Sequence, residues 1–150
     1  MSGGFGCWAF LFLLPATVAA AETCPWLNAA TAAGVLGSPV TMTVSHDTAN
    51  RDDAVCSFKG NRSELRIAVY TSETPHSRFT FDAAECGSNP DRLKGLGNEA
   101  VACNHGANGQ AALVVGRVRN RVFTVLVSAD SSAVREKVRA VSEQVAGFLF

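Results

Sequence analysis

Arg117, Arg119 and Arg121 fall at alternate positions in a largely apolar stretch running from Gln110 to Ala129. Guanidinium groups held close together can grip a carboxylate or a phosphate through paired hydrogen bonds. The chemistry expected of this cluster is anion binding, with Arg92 and Lys94 from a long loop as further candidate members. The commoner use of such residues is plainer: charge at a strand end keeps a hairpin tip solvated and unaggregated.

Catalytic groupings are harder to find. His46, His76 and His105 are scattered along polar segments, where exposure to solvent is the default expectation. No G-x-S-x-G, H-E-x-x-H or phosphate-loop pattern is present. Asp52, Asp53 and Glu22 lack the spacing of a calcium loop. Gly95-Leu96-Gly97 precedes an expected strand rather than a helix, so it reads as a tight turn and not as an anion cradle. The sequence therefore points to a binding protein rather than an enzyme, and to no cofactor.

The cysteines carry structural chemistry. Cys7 lies in an apolar N-terminal run, leaving Cys24, Cys56, Cys86 and Cys103. Four cysteines allow three connectivities, and chain order favours Cys24 with Cys56 and Cys86 with Cys103. A metal site of Cys86, Cys103 and His105 would lack the paired C-x-x-C spacing usual for zinc. Phe5 to Val18 is almost continuously apolar and ends in the small residues Ala19, Ala20 and Ala21, the pattern of a secretory signal peptide cleaved after Ala20 or Ala21. The run falls short of the ~20 residues that a spanning helix needs. Residues 1–20 are thus expected to be a signal and residues 21–150 a single domain. The mature chain should be exported, disulfide-bonded and without a transmembrane span. The 150 residues carry 13 basic and 13 acidic side chains, a formal net charge of +0 that argues against a nucleic-acid partner.

The elements that must position these groups follow from periodicity. The β-branched runs on either side of Arg119-Asn120 predict a hairpin. If Val118 pairs with Arg121, then Gly116 faces Phe123, Val114 faces Val125 and Ala112 faces Val127. Both faces are apolar, which suits the middle of a sheet. Asn28 and Gly37 bracket a short helix over Ala29–Leu36, with Gly34 suggesting close approach to another element. Val40 to Val44 and a hairpin formed by Ala54–Phe58 and Ser63–Tyr70 add strands, and Glu99–Cys103 another. A weak pattern from Thr74 to Cys86 allows a second helix, and Asn108-Gly109 a turn. After Asp130 or Ser131 as cap, Val134, Val138, Val141, Val145 and Phe148 mark the buried stripe of a terminal helix. The expected fold is α+β: an antiparallel sheet of five to six strands with N- and C-terminal helices packed on it. Phe58, Ile67, Phe81 and Phe123 could line an apolar pocket between sheet and helix.

Three segments together resemble a family of small exported bacterial envelope domains of unknown function. They are Cys24 ahead of a helix ending Val35-Leu36-Gly37, the strand segment Cys56-Ser57-Phe58, and Leu93-Lys94-Gly95-Leu96-Gly97-Asn98-Glu99-Ala100 before two apolar strands and a helix. The resemblance implies a PsbP-like α/β sandwich, a Cys24–Cys56 disulfide and a structural Gly-Leu-Gly turn. The chain departs from the family in lacking a lipobox and in having a second cysteine pair. The expectation is a non-catalytic binding or interaction module of the cell envelope, whose partner is an envelope protein or a small ligand. The alternative is a periplasmic carrier of a small hydrophobic or anionic ligand.

Overall fold

The computed structural model describes Met1, residues 22–106 and residues 109–150. The expected signal peptide and Asn108 lie outside the described residues.

Helix α1 spans Ala29–Leu36. The Asn28 side chain accepts a hydrogen bond from Thr31 N (2.8 Å), and Gly37 closes the helix in the left-handed region at φ 73°. These are the bounds that the cap residues predict. Gly34 faces open space, so the close approach expected there is absent.

Strands β1 (Thr41–His46), β2 (Ala54–Lys59) and β3 (Glu64–Thr71) follow, then helix α2 (Pro75–Ala83), which tightens into a 3₁₀ turn over Ala84–Cys86. Strands β4 (Asp91–Arg92), β5 (Glu99–His105), β6 (Ala111–Val118) and β7 (Arg121–Ser128) and helix α3 (Val134–Leu149) complete the chain. The strands form one antiparallel sheet in the order β1-β2-β3-β7-β6-β5-β4. The apolar hairpin β6–β7 is therefore central, and its register is the expected one: Val118 with Arg121, Gly116 with Phe123, Val114 with Val125. The seventh strand, β4, is two residues long, too short to leave an alternating pattern in a loop full of turn formers.

One face of the sheet carries the main core. Phe58, Ile67, Val114, Phe123 and Val125 are fully buried there beneath α1 and α3. Gly116 is required at this point, because a Cβ would overlap the Phe123 ring. Helix α3 buries Val134, Val138, Val141 and Val145 as expected, but Leu149 ends the stripe while Phe148 is 61% exposed. Ser142 and Ala146 are buried too, and at 100° per residue they shift the centre of the buried face away from Phe148 and toward Leu149. The helix also starts later than Asp130 or Ser131 would set it: Ala133 holds the cap position, and Ser131 Oγ accepts from Ala133 N (3.2 Å). The expected apolar pocket does not form. Phe58, Ile67 and Phe123 belong to the packed core, whereas Phe81 stands on α2 and is 75% exposed.

The opposite face is covered by α2 over β5, β6 and β7, where Phe79, Val101, Leu113, Val115 and Val122 form a smaller cluster. Disulfides fasten both layers. Cys24–Cys56 (Cα–Cα 5.8 Å) ties the segment before α1 to β2, and Cys86–Cys103 (Cα–Cα 5.5 Å) ties the end of α2 to β5. Among the described residues no helix is long and apolar enough to cross a membrane.

Candidate functional site

The hairpin turn bends at Arg119, whose φ of 56° puts a side chain other than glycine in the left-handed region. The Gly95–Asn98 segment clasps this turn. Asn98 N donates to the Arg117 carbonyl (2.8 Å), and Asn98 Oδ1 accepts from Arg119 N (2.6 Å). Gly97, at φ 80°, is packed so closely on the Arg117 carbonyl that no side chain fits. The Gly-Leu-Gly turn is thus structural, and Leu96 within it is buried.

The three arginines of the tip find different partners. Arg117 Nε donates to Glu99 Oε1 (2.5 Å) across the β5–β6 ladder, and its Nη1 donates to the Arg119 carbonyl (3.0 Å). Arg121 Nη2 donates to the Asp52 carbonyl (2.7 Å). Arg119 borders a depression together with Asp47, Asp53 and Glu73, which are all carboxylates. The structure does not gather these three side chains around one anion.

Arg92 and Lys94 do meet at a site. They border a groove of about 670 Å³ between α2 and the segment running from Pro90 to Val101. Arg92 pairs in register with Val101, which places both on the sheet face that carries α2. Its apolar lining comes from Phe79, Ala83 and Val101 of the smaller cluster and from Leu93 and Ala100, which also pack on the main core. Of these Phe79, Ala100 and Val101 are buried and Ala83 and Leu93 partly open. Arg92 and Lys94 are exposed and form no ion pair among the described residues. Asp91, the neighbouring carboxylate, pairs instead with Arg135 of α3.

Glu99 also lines this groove. His76, in the first turn of α2, donates from Nδ1 to Glu99 Oε1 (2.9 Å), opposite the bond from Arg117. Burial pushes the Glu99 carboxyl up, but the hydrogen bonds from His76 and Arg117 and their charges outweigh it and hold the group below its ordinary value of 4.5. The sequence placed all three histidines in polar loops; the structure puts His46 at the end of β1, His105 at the end of β5 and His76 on α2. Twenty-three residues separate His76 from Glu99, and no local pattern announces that pair.

Two other polar side chains gain roles that the sequence left unassigned. Asp53 is buried and accepts from Thr71 N (2.9 Å), Thr71 Oγ1 (2.8 Å) and Asn50 Nδ2 (3.1 Å), pinning the β1–β2 loop to the end of β3. Asp82 is buried on α2 and accepts from Arg78 Nε (3.0 Å), whose guanidinium lies 4.8 Å from the Tyr70 ring centre. The i, i+4 spacing of Arg78 and Asp82 is the sequence signal for the second. Among the described residues no group of three His, Cys, Asp or Glu side chains is placed to hold a metal ion.

No family model and no curated protein matches the chain in sequence. In structure it is similar to a crystallised GTP binding regulator from Thermotoga maritima, at 16% identity and a TM-score of 0.46 over 81% of this chain and 89% of that one.

Proposed function

We propose that the chain is an exported, non-catalytic binding module of the cell envelope that engages its partner through the groove between α2 and the Pro90–Val101 segment. One observation carries this reading: an apolar lining edged by Arg92 and Lys94, two cations that have no ion-pair partner among the described residues. Beside these cations the lining is largely apolar, with Ala84 exposed and Ala83 and Leu93 partly open. The two disulfides suit an oxidising compartment, which supports export.

A photo-crosslinking residue at Thr80, on the groove's lip, tests the reading in living cells. The same residue at Ala140, on the exposed side of α3, is the control. Adducts formed at Thr80, absent at Ala140 and lost on Arg92→Glu/Lys94→Glu substitution are expected. Equal labelling at both positions, or adducts indifferent to the charge reversal, would overturn it.

A further inference from the structure

We infer that the groove's ligand is a single-chain amphiphile with an anionic head, a long-chain carboxylate or alkyl phosphate, its tail along Ala83, Ala84 and Leu93 and its head between Arg92 and Lys94. The inference rests on the groove reading above and names the chemistry that the groove would take.

Charge around the groove is what selects the occupant. Glu99 is the one carboxylate among the described lining residues, and it is already occupied by Arg117 on one side and His76 on the other. The cations Arg92 and Lys94 are therefore not opposed, and the groove as a whole favours an anion. The depression at Arg119 gives the contrast in charge. Its volume is also about 670 Å³, but Asp47, Asp53 and Glu73 outnumber its single arginine, so it repels the same ligand.

Shape and polarity point to the tail. The groove falls within the roughly 300–1,000 Å³ of small-molecule sites, and such sites are apolar with a few convergent polar groups that fix orientation. The cations come from β4 and its following loop, while α2 and its 3₁₀ end offer Phe79, Ala83 and Ala84 alongside Thr80 and His76, the latter bonded to Glu99. A small inorganic anion would use the rim alone and leave the apolar lining bare. A neutral alkane would leave two cations beside apolar surface. An amphiphile covers the apolar lining and answers the rim.

Isothermal titration of the oxidised protein with sodium dodecanoate, below its micellar concentration, tests this. Dodecyl phosphate, dodecyltrimethylammonium and acetate serve as the other probes. One site is expected for dodecanoate or dodecyl phosphate, and whichever binds more tightly identifies the head. Arg92→Gln/Lys94→Gln should weaken that binding tenfold or more, Ala84→Trp should block it by filling the groove, and acetate should not bind measurably. Equal affinity for dodecyltrimethylammonium, or dodecanoate binding unmoved by either variant, overturns the inference. Absence of any amphiphile binding also overturns it, and with Thr80 adducts still formed in cells the binding-module reading would stand without it.

Discussion

At the scale of single residues, Glu99 and Arg119 carry the chemistry that can be measured most directly. The lowered carboxyl of Glu99 means that its pairing stabilises the fold above the ordinary value of 4.5 and that this contribution is lost as pH falls through the folded value. Glu99→Gln should therefore lower the urea midpoint near neutral pH, and the gap to the unsubstituted protein should narrow towards pH 3. Both partners are partly open to solvent, which keeps the expected cost to about 1 kcal/mol. A gap that stayed constant with pH would mean that the pair does not contribute through charge. Arg119 bears a different strain. A left-handed backbone costs a residue with a Cβ about 1–2 kcal/mol relative to glycine. Arg119→Gly should raise the urea midpoint while leaving dodecanoate binding at the α2 groove unchanged, since Arg119 borders the other depression. Weaker dodecanoate binding in that variant would place Arg119 back among the ligand-binding arginines.

At the scale of elements, the hairpin β6–β7 was legible and the groove was not. Register followed from a two-residue turn and from small residues opposite large ones, because pairing, period and burial all act within twenty residues. Gly116 against Phe123 is the tightest of those pairs, so Gly116→Ala should cost about 1–3 kcal/mol by overpacking, read as a lower urea midpoint with an unchanged slope. A midpoint that did not move would mean the ring can shift at no cost. Arg117 illustrates the limit of such reasoning. Its place at the tip was correct, yet its partner Glu99 lies on a neighbouring strand and His76 on a helix beyond β3. Periodicity and a tight turn assign partners within one hairpin, but not a companion on an element farther along the chain. The same limit explains Phe148 and Phe81: one apolar residue more or less on a helix cannot be assigned to core or surface until the angle of docking is fixed. Arg92 and Lys94 were proposed as accessories of the hairpin, and only the short β4 pairing shows that they serve the α2 side instead.

At the scale of the whole molecule, the two disulfides divide the work between stability and the site. Both were readable as cysteine order, since each joins the next cysteine along the chain. Their loops span 32 and 17 residues, so in the loop-entropy account Cys24–Cys56 stabilises the fold by about 4 kcal/mol and Cys86–Cys103 by about 3 kcal/mol. Their places differ more than their energies do. Cys24–Cys56 fastens the α1 side of the main core, a layer also held by α3 and by a contiguous set of buried valines. Cys86–Cys103 fastens the small layer, where α2 rests on few apolar side chains and forms one wall of the groove. Cys24→Ala/Cys56→Ala should thus lower the urea midpoint and leave dodecanoate affinity intact under native conditions. Cys86→Ala/Cys103→Ala should lower the midpoint by a similar amount and weaken dodecanoate binding as well, because the 3₁₀ end of α2 is released from β5. Hydrogen exchange in α2 should rise in the second variant alone. If both variants kept full affinity, the wall of the groove would be held by the Arg78–Tyr70 and His76–Glu99 contacts without the disulfide, and the second bridge would serve stability only.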